Sequence, residues 1–180
     1  MQRIHLIGPS CAGKTTLGRW LAARLGLPFV DLDDLFWEPG WVEVGHEELA
    51  RRLRPRIDAD GWVVAGNYHA TTERLLWPRI DTLLVLDLAY PRVMARGFWR
   101  TVWRGLGGAP CCNGNRESLA RLFHHDGILR YTHRHWGRRH LRYATLAGEP
   151  ALQHAAVVRL QTPGEVRRFR RAVLNRSSGS

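Results

Sequence analysis

Lysine is nearly missing from this chain of 180 residues. Lysine and arginine together number 27, yet the only lysine is Lys14. A composition that has drifted to arginine has kept one ammonium, at one place. Cysteine is scarce too: three residues make no disulfide framework, and reduced thiols are expected. No apolar run approaches the length of about 18 residues that a membrane-spanning helix needs, so no membrane partner is expected. The first residues, MQRIHLIGPS, lack the long apolar core and cleavage site of a signal peptide, so a soluble cytoplasmic protein is expected. Acidic residues are scarce in the second half. Residues 1–90 carry ten basic and twelve acidic side chains, whereas residues 91–180 carry seventeen and four. Such asymmetry points to an anionic partner, a nucleotide or a nucleic acid.

What is present is a core. Hydrophobic residues make up 44% of the chain, enough for one globular domain over residues 1–174 with a polar tail at 175–180. RIHLI (3–7), PFVDLD (28–33), GWVVAG (61–66), DTLLVLD (81–87) and AAVVRL (155–160) read as strands. Their apolar character is nearly continuous, which implies cover on both faces. Helices are expected between them. Leu17, Trp20, Leu21 and Leu25 form a stripe that Gly26 and Pro28 end. HEELARRLRPRID (46–58) is helical, with Pro55 disturbing it. Further helices are expected over 90–105, 116–125, 127–144 and 163–174, and LGGAPCCNGN (106–115) is irregular. Leu129, Thr132, Trp136 and Tyr143 form the packing stripe of the 127–144 helix, and its arginines and histidines read as a basic surface. Strands alternating with helices predict an α/β three-layer fold, a five-stranded parallel sheet with helices on both faces. Ligands of such sheets bind beyond the carboxyl ends of the strands. The acids at 31–34, Gly66 with Asn67, and Asp87 all fall there.

GPSCAGKTT (8–16) spells G-x-x-x-x-G-K-[ST], between a strand and a helix. Gly8 and Gly13 let the backbone curl so that the loop of Pro9, Ser10, Cys11 and Ala12 through Thr16 surrounds phosphate, every residue but Pro9 offering an N–H. Lys14 is expected on the outer phosphates of ATP, and the Thr15 hydroxyl on Mg²⁺. Asp31 and Asp33 alternate along a strand end, where one can hold metal and the other orient an attacking hydroxyl. Asp33 is expected on the acceptor side; Asp34 caps the next segment. Asp87 ends an apolar strand as a Walker-B acid does and is expected to support Mg²⁺. Gly66, Asn67 and Tyr68 are expected at the acceptor. Arg92, Arg96, Arg100 and Arg104 share one helix face, which is either solvated or a set of phosphate contacts; Arg96 and Arg100 are the expected contacts. Phe36, Trp37 and Trp41 either stack on a substrate or form a small local core. Cys111 and Cys112 are adjacent, poor geometry for chelating zinc.

Taken together, GPSCAGKTTLGRWLAARLGLPFVDLDDLFW, PGW, WVVAGNY and IDTLLVLDLAYPRVMARGFWR resemble the adenylate-kinase-like P-loop proteins labelled topology modulation proteins, over nearly all of residues 3–145. More distantly, the loop, the D-x-D pair and the glycine turn look like shikimate kinase. The resemblance implies a P-loop NTPase of nucleoside-monophosphate-kinase type, with an acceptor segment at about 34–60 and a lid at about 105–127, Arg116 included. It places Gln161, Thr162 and Pro163 beside the adenine. The third strand lacks the DGFPR of adenylate kinases. The expected function is transfer of the ATP γ-phosphoryl group to a small-molecule hydroxyl or a nucleoside monophosphate, by a monomer or weak dimer. The alternative is a nucleotide-dependent, nucleic-acid-associated regulator of DNA topology, favoured by the basic half and opposed by the lack of any helix-turn-helix, zinc-finger or RNA-recognition signature.

Overall fold

A computed structural model describes residues 1–107, 110–116 and 127–177. Residues 117–125 of the expected helix, and residues 108–109 and 117–126 of the expected lid, lie outside the described residues. The central sheet comprises β1 (Arg3–Ile7), β2 (Phe29–Asp31), β5 (Trp62–Ala65), β6 (Thr82–Leu86) and β9 (Ala156–Leu160). All are parallel, in the order β2-β5-β1-β6-β9. Two short antiparallel pairs stand apart: β3 (Trp37–Glu38) with β4 (Val42–Glu43), and β7 (Pro110–Cys111) with β8 (Asn115–Arg116). The helices are α1 (Lys14–Leu25), α2 (Leu32–Phe36), α3 (His46–Leu53), α4 (His69–Leu75), α5 (Tyr90–Gly107), α6 (Ile128–Thr145) and α7 (Pro163–Ser177).

Strand alternation divides the core in two. Trp62, Val64, Leu83 and Val85 pack on one face with Leu49, Leu53 and Tyr143; Val63, Ala65, Leu84 and Leu86 pack on the other with Leu17, Leu21 and Val173. The five-stranded α/β expectation holds. Among the described residues, no helix is long and apolar enough to cross a membrane. Gly18 lets α1 lie on the sheet, since a Cβ there would stand 2.5 Å from Phe29 Cε2.

Three local expectations need correction. The second strand ends at Asp31, not Asp33, because the Asp31 carboxylate turns the chain into α2 by accepting the Asp33 amide at 3.2 Å. Asp31, not Asp34, is therefore the cap. A helix, α4, begins after Tyr68 where none is expected; its buried Thr71 and Thr72 obscured the apolar stripe. The last helix runs on through Ser177.

His5 lies in the centre of β1 with no exposure. Its Nε2 sits 2.9 Å from the Gly66 carbonyl oxygen, and its Nδ1 is buried without a hydrogen-bond partner among the described residues. Burial pushes its pKa from 6.5 down to about 4, against the Gly66 hydrogen bond, which raises it. The unfolded imidazole binds its proton first, so the stability gained with neutral His5 is present above about pH 6.5 and lost as pH falls toward 4. Denaturant unfolding across this window should show a loss of up to about 3 kcal/mol from this group. In His5→Leu the slope of stability against pH should be shallower by about one proton, although the variant is less stable throughout. An unchanged slope would contradict the assignment.

Candidate active site

β1 delivers the chain into Gly8 (φ 151°), where a Cβ would lie 2.5 Å from the Leu86 carbonyl oxygen of β6. Cys11 (φ 65°) and Gly13 (φ 100°) are left-handed, so the loop winds into a curl. Gly13 caps α1 with no side chain, and the first turn of α1 holds no acid. The positive end of the helix therefore faces the curl. Lys14 Nζ donates to the Gly8 and Pro9 carbonyls at 2.9 and 3.1 Å. Burial lowers its pKa, opposed by the Asp33 charge and reinforced by Arg139. From α5, Arg96 donates to the Ala12 carbonyl at 3.2 Å. Arg100 is half-buried one turn further along α5. Cys11 is a small packing residue of the loop: its Sγ is 3.4 Å from where a Cβ on Gly97 would sit.

Asn67 is expected at the acceptor, yet its amide is committed to the loop. Its Nδ2 donates to the Gly8 carbonyl at 2.8 Å and its Oδ1 accepts the Gly8 N–H at 3.0 Å. Gly66 is required by close approach, since a Cβ there would meet Leu32 Cβ at 2.7 Å.

The acids gather beside Thr15. The Thr15 hydroxyl donates to Asp31 Oδ2 at 2.9 Å. Burial, helped by the Asp33 charge, pushes the Asp31 pKa up to about 6. Asp33, carried by α2 rather than by the strand, accepts the Tyr68 hydroxyl at 2.6 Å. A divalent cation would fit this oxygen-rich group, because its charge would offset the burial and the Asp33 repulsion that raise the Asp31 pKa. Asp87 differs from its expected role. At 3% exposed, it accepts Arg159 Nε at 2.9 Å and hydrogen-bonds His140 Nδ1 at 3.0 Å, fastening β6 to β9 and α6. The structure thus pairs Thr15 with Asp31 and leaves Asp87 engaged elsewhere.

Thr162 and Pro163 stand at the turn from β9 into α7. Thr162 Oγ1 accepts the Glu165 N–H at 3.1 Å, and the Glu165 carboxylate accepts the Gln161 N–H at 2.7 Å, a reciprocal cap. The aromatics form the acceptor segment's own core. Phe36 is buried with its ring 4.5 Å from Tyr68 and 5.3 Å from Trp37, and Trp41 stacks edgewise on Trp37 at 5.6 Å. Asn115 joins the two hairpins. Its Nδ2 donates to the Glu38 and Cys112 carbonyls at 2.8 and 2.7 Å, and its Oδ1 accepts the Trp41 N–H at 2.9 Å. The Arg116 side chain lies outside the described residues.

From α6, Arg139 lies over the Tyr131 ring, 5.0 Å from its centroid, and donates to the Tyr131 hydroxyl at 2.7 Å. Its charge adds to burial in lowering the pKa of Lys14, and to burial and Arg142 in lowering that of His69, a reach that the basic-surface reading of RYTHRHWGRRHLRY does not anticipate. The spacing Thr132, Trp136, Arg139, Tyr143 is itself the packing stripe of α6, and this was the available signal.

Asp31 gives a test of the metal site. Its folded pKa lies above the ordinary 3.8, so its stabilising contribution is complete below about pH 4 and is lost as pH rises through about 6. At neutral pH, without metal, Asp31→Asn should be more stable than the parent by about 1–2 kcal/mol. Magnesium should raise the melting temperature of the parent and lose that effect in the variant. Equal magnesium responses would place the ion elsewhere.

The shikimate kinase family model matches residues 10–39. A shikimate kinase from Paracidovorax citrulli is 67% identical over 134 residues, covering 68% of this chain; the chain spans 62% of that relative's length. A shikimate kinase from Gloeobacter violaceus is 31% identical over 169 residues, covering 89% of this chain and 84% of its own. Among solved structures, the shikimate kinase from Acinetobacter baumannii in complex with shikimate superposes with a TM-score of 0.53 at 19% identity, covering 97% of this chain and 91% of that one. That likeness speaks for the fold. These relatives favour the shikimate kinase likeness over the topology modulation one, and they give the nucleic-acid regulator reading no support. With the Gloeobacter match spanning most of both sequences, the chain belongs to the shikimate kinase family.

Proposed function

We propose that this chain is an ATP-dependent kinase acting on a hydroxyl of a small acceptor, with shikimate the first candidate. The observation that carries this reading is the meeting of an ammonium and carboxylates around one loop: Lys14 folds onto the Gly8 and Pro9 carbonyls, and the Thr15 hydroxyl beside it bonds Asp31, whose other oxygen accepts the Asp33 amide. ATP with Mg²⁺ would supply the electrophilic γ-phosphorus and an ADP leaving group. The residues of this chain would do the rest. The Gly8–Thr16 backbone and Lys14 would bind the phosphates, with Arg96 and Arg100 steadying the charge that develops. Thr15 and Asp31 would hold the metal. Thr162 and Pro163 would border the base. Asp33 would orient the acceptor hydroxyl and take its proton as the oxygen bonds to phosphorus and the bond to the ADP oxygen breaks. Asp31, Gly66 and Tyr68 would line the acceptor side, closed from water by the lid.

A hydroxyl acceptor is favoured over a nucleoside monophosphate by how the acceptor segment uses its arginines. Arg51 donates to Glu48 at 2.7 Å, and Arg52 is held by Glu38 and Glu48 at 2.6 and 2.7 Å. Arg54 and Arg56 come after α3 on the way to the start of β5, the sheet end opposite the phosphate loop. A second phosphate would therefore find these forks either occupied or remote. Shikimate itself is supported by family membership.

Purified protein with ATP and magnesium, read by ADP release, should turn over with shikimate and not with AMP or simple polyols. Lys14→Met and Asp33→Asn should each lower kcat by roughly a hundredfold or more, with circular dichroism unchanged. Shikimate-dependent turnover that survives both changes would end the assignment.

A further inference from the structure

We infer that Tyr68 is a positioning residue. Held against Phe36, it aims one oxygen of Asp33 by hydrogen-bonding the other. The inference rests on the kinase reading above and assigns a further residue to that reaction.

Tyr68 leaves the end of β5 at the cleft and is half-buried. Its ring is pinned against buried Phe36, with centroids 4.5 Å apart. Its hydroxyl reaches Asp33 Oδ1 at 2.6 Å, within the range of a charge-assisted O–H···O⁻ bond. An ionised carboxylate can only accept, so the phenol proton points to Asp33 and the direction of the bond is fixed from Tyr68 to Asp33.

A phenol suits this task. It donates strongly yet adds no charge, so it holds the carboxylate without neutralising it as an arginine would. Burial and the neighbouring Asp33 charge raise its own pKa far above the usual tyrosine value, so it keeps its proton and does not compete as a base. With Oδ1 engaged by Tyr68, Oδ2 is the oxygen that meets the acceptor hydroxyl. Asp33 also sits at the start of α2, with its backbone N–H bound to Asp31, so main chain and side chain are anchored separately. Proton abstraction needs a carboxylate oriented within a few tens of degrees, and the relay supplies that orientation.

Two measurements test it. In proton NMR spectra, the parent should show a downfield, slowly exchanging hydroxyl resonance that disappears in both Tyr68→Phe and Asp33→Asn. In the kinase assay, Tyr68→Phe should lower kcat by about tenfold to a hundredfold while leaving KM for ATP unchanged. The double variant Tyr68→Phe/Asp33→Asn should be no slower than Asp33→Asn alone, because the tyrosine acts only through the aspartate. Losses that multiply in the double variant, or a Tyr68→Phe enzyme with the parent's kcat, would overturn the inference. An active parent lacking the resonance would overturn the relay and leave the kinase reading standing. A parent that shows the resonance but turns over no acceptor would overturn the kinase reading while demonstrating the hydrogen bond.

Discussion

The site hangs on the clamp between Asn67 and Gly8. Two hydrogen bonds, at 2.8 and 3.0 Å, tie the amide just beyond β5 to both backbone groups of the residue that follows β1. Gly8 has no room to move the other way, because the Leu86 carbonyl of β6 lies beneath it. Three adjacent strands thus fix one glycine. Everything after it in the loop inherits that position: the left-handed turns at Cys11 and Gly13, the Lys14 ammonium folded back onto Gly8 and Pro9, and the open first turn of α1. Each hydrogen bond is worth only about 1 kcal/mol in stability. Their larger effect is geometric, since an error at Gly8 would pass undiminished to the lysine.

The sheet order explains why the remaining groups converge. β1 lies between β5 and β6, so the phosphate loop opens between the turns that leave those strands. β2 lies beyond β5 and brings Asp31 to the same edge. His5 stiffens this edge from within, hydrogen-bonding the Gly66 carbonyl across from β1 to the end of β5. Asp87 stiffens the far side through Arg159 and His140. The polar groups buried under the cleft are braces for the loops above them, which is why they carry partners rather than ligands.

Much of this was legible in the residues. Short apolar runs located all five sheet strands, and the glycine–lysine–threonine loop located the phosphate site. Gly26 ended α1 as its left-handed geometry requires. The misreadings share one cause: a polar side chain has two kinds of use, toward the ligand or toward the chain's own backbone, and sequence does not say which. Asp33 reads as the end of a strand, but that strand stops at Asp31, which spends one oxygen on starting a helix. Asn67 was assigned to the acceptor and locks the loop. Asp87 matched a metal-supporting pattern and serves an arginine from β9, a partner 72 residues away. Arg139 was hidden for the opposite reason. Five arginines and three histidines within 130–142 drown a periodic signal that only helix packing isolates.

Asn115 ties Glu38 and Trp41 of one hairpin to Cys112 of the other, and it is itself 5% exposed. A buried amide stripped of its partners costs more than the bonds it made. The two hairpins are therefore bolted together at one buried amide, and drawing them apart would strand its donor and acceptor atoms together rather than one by one.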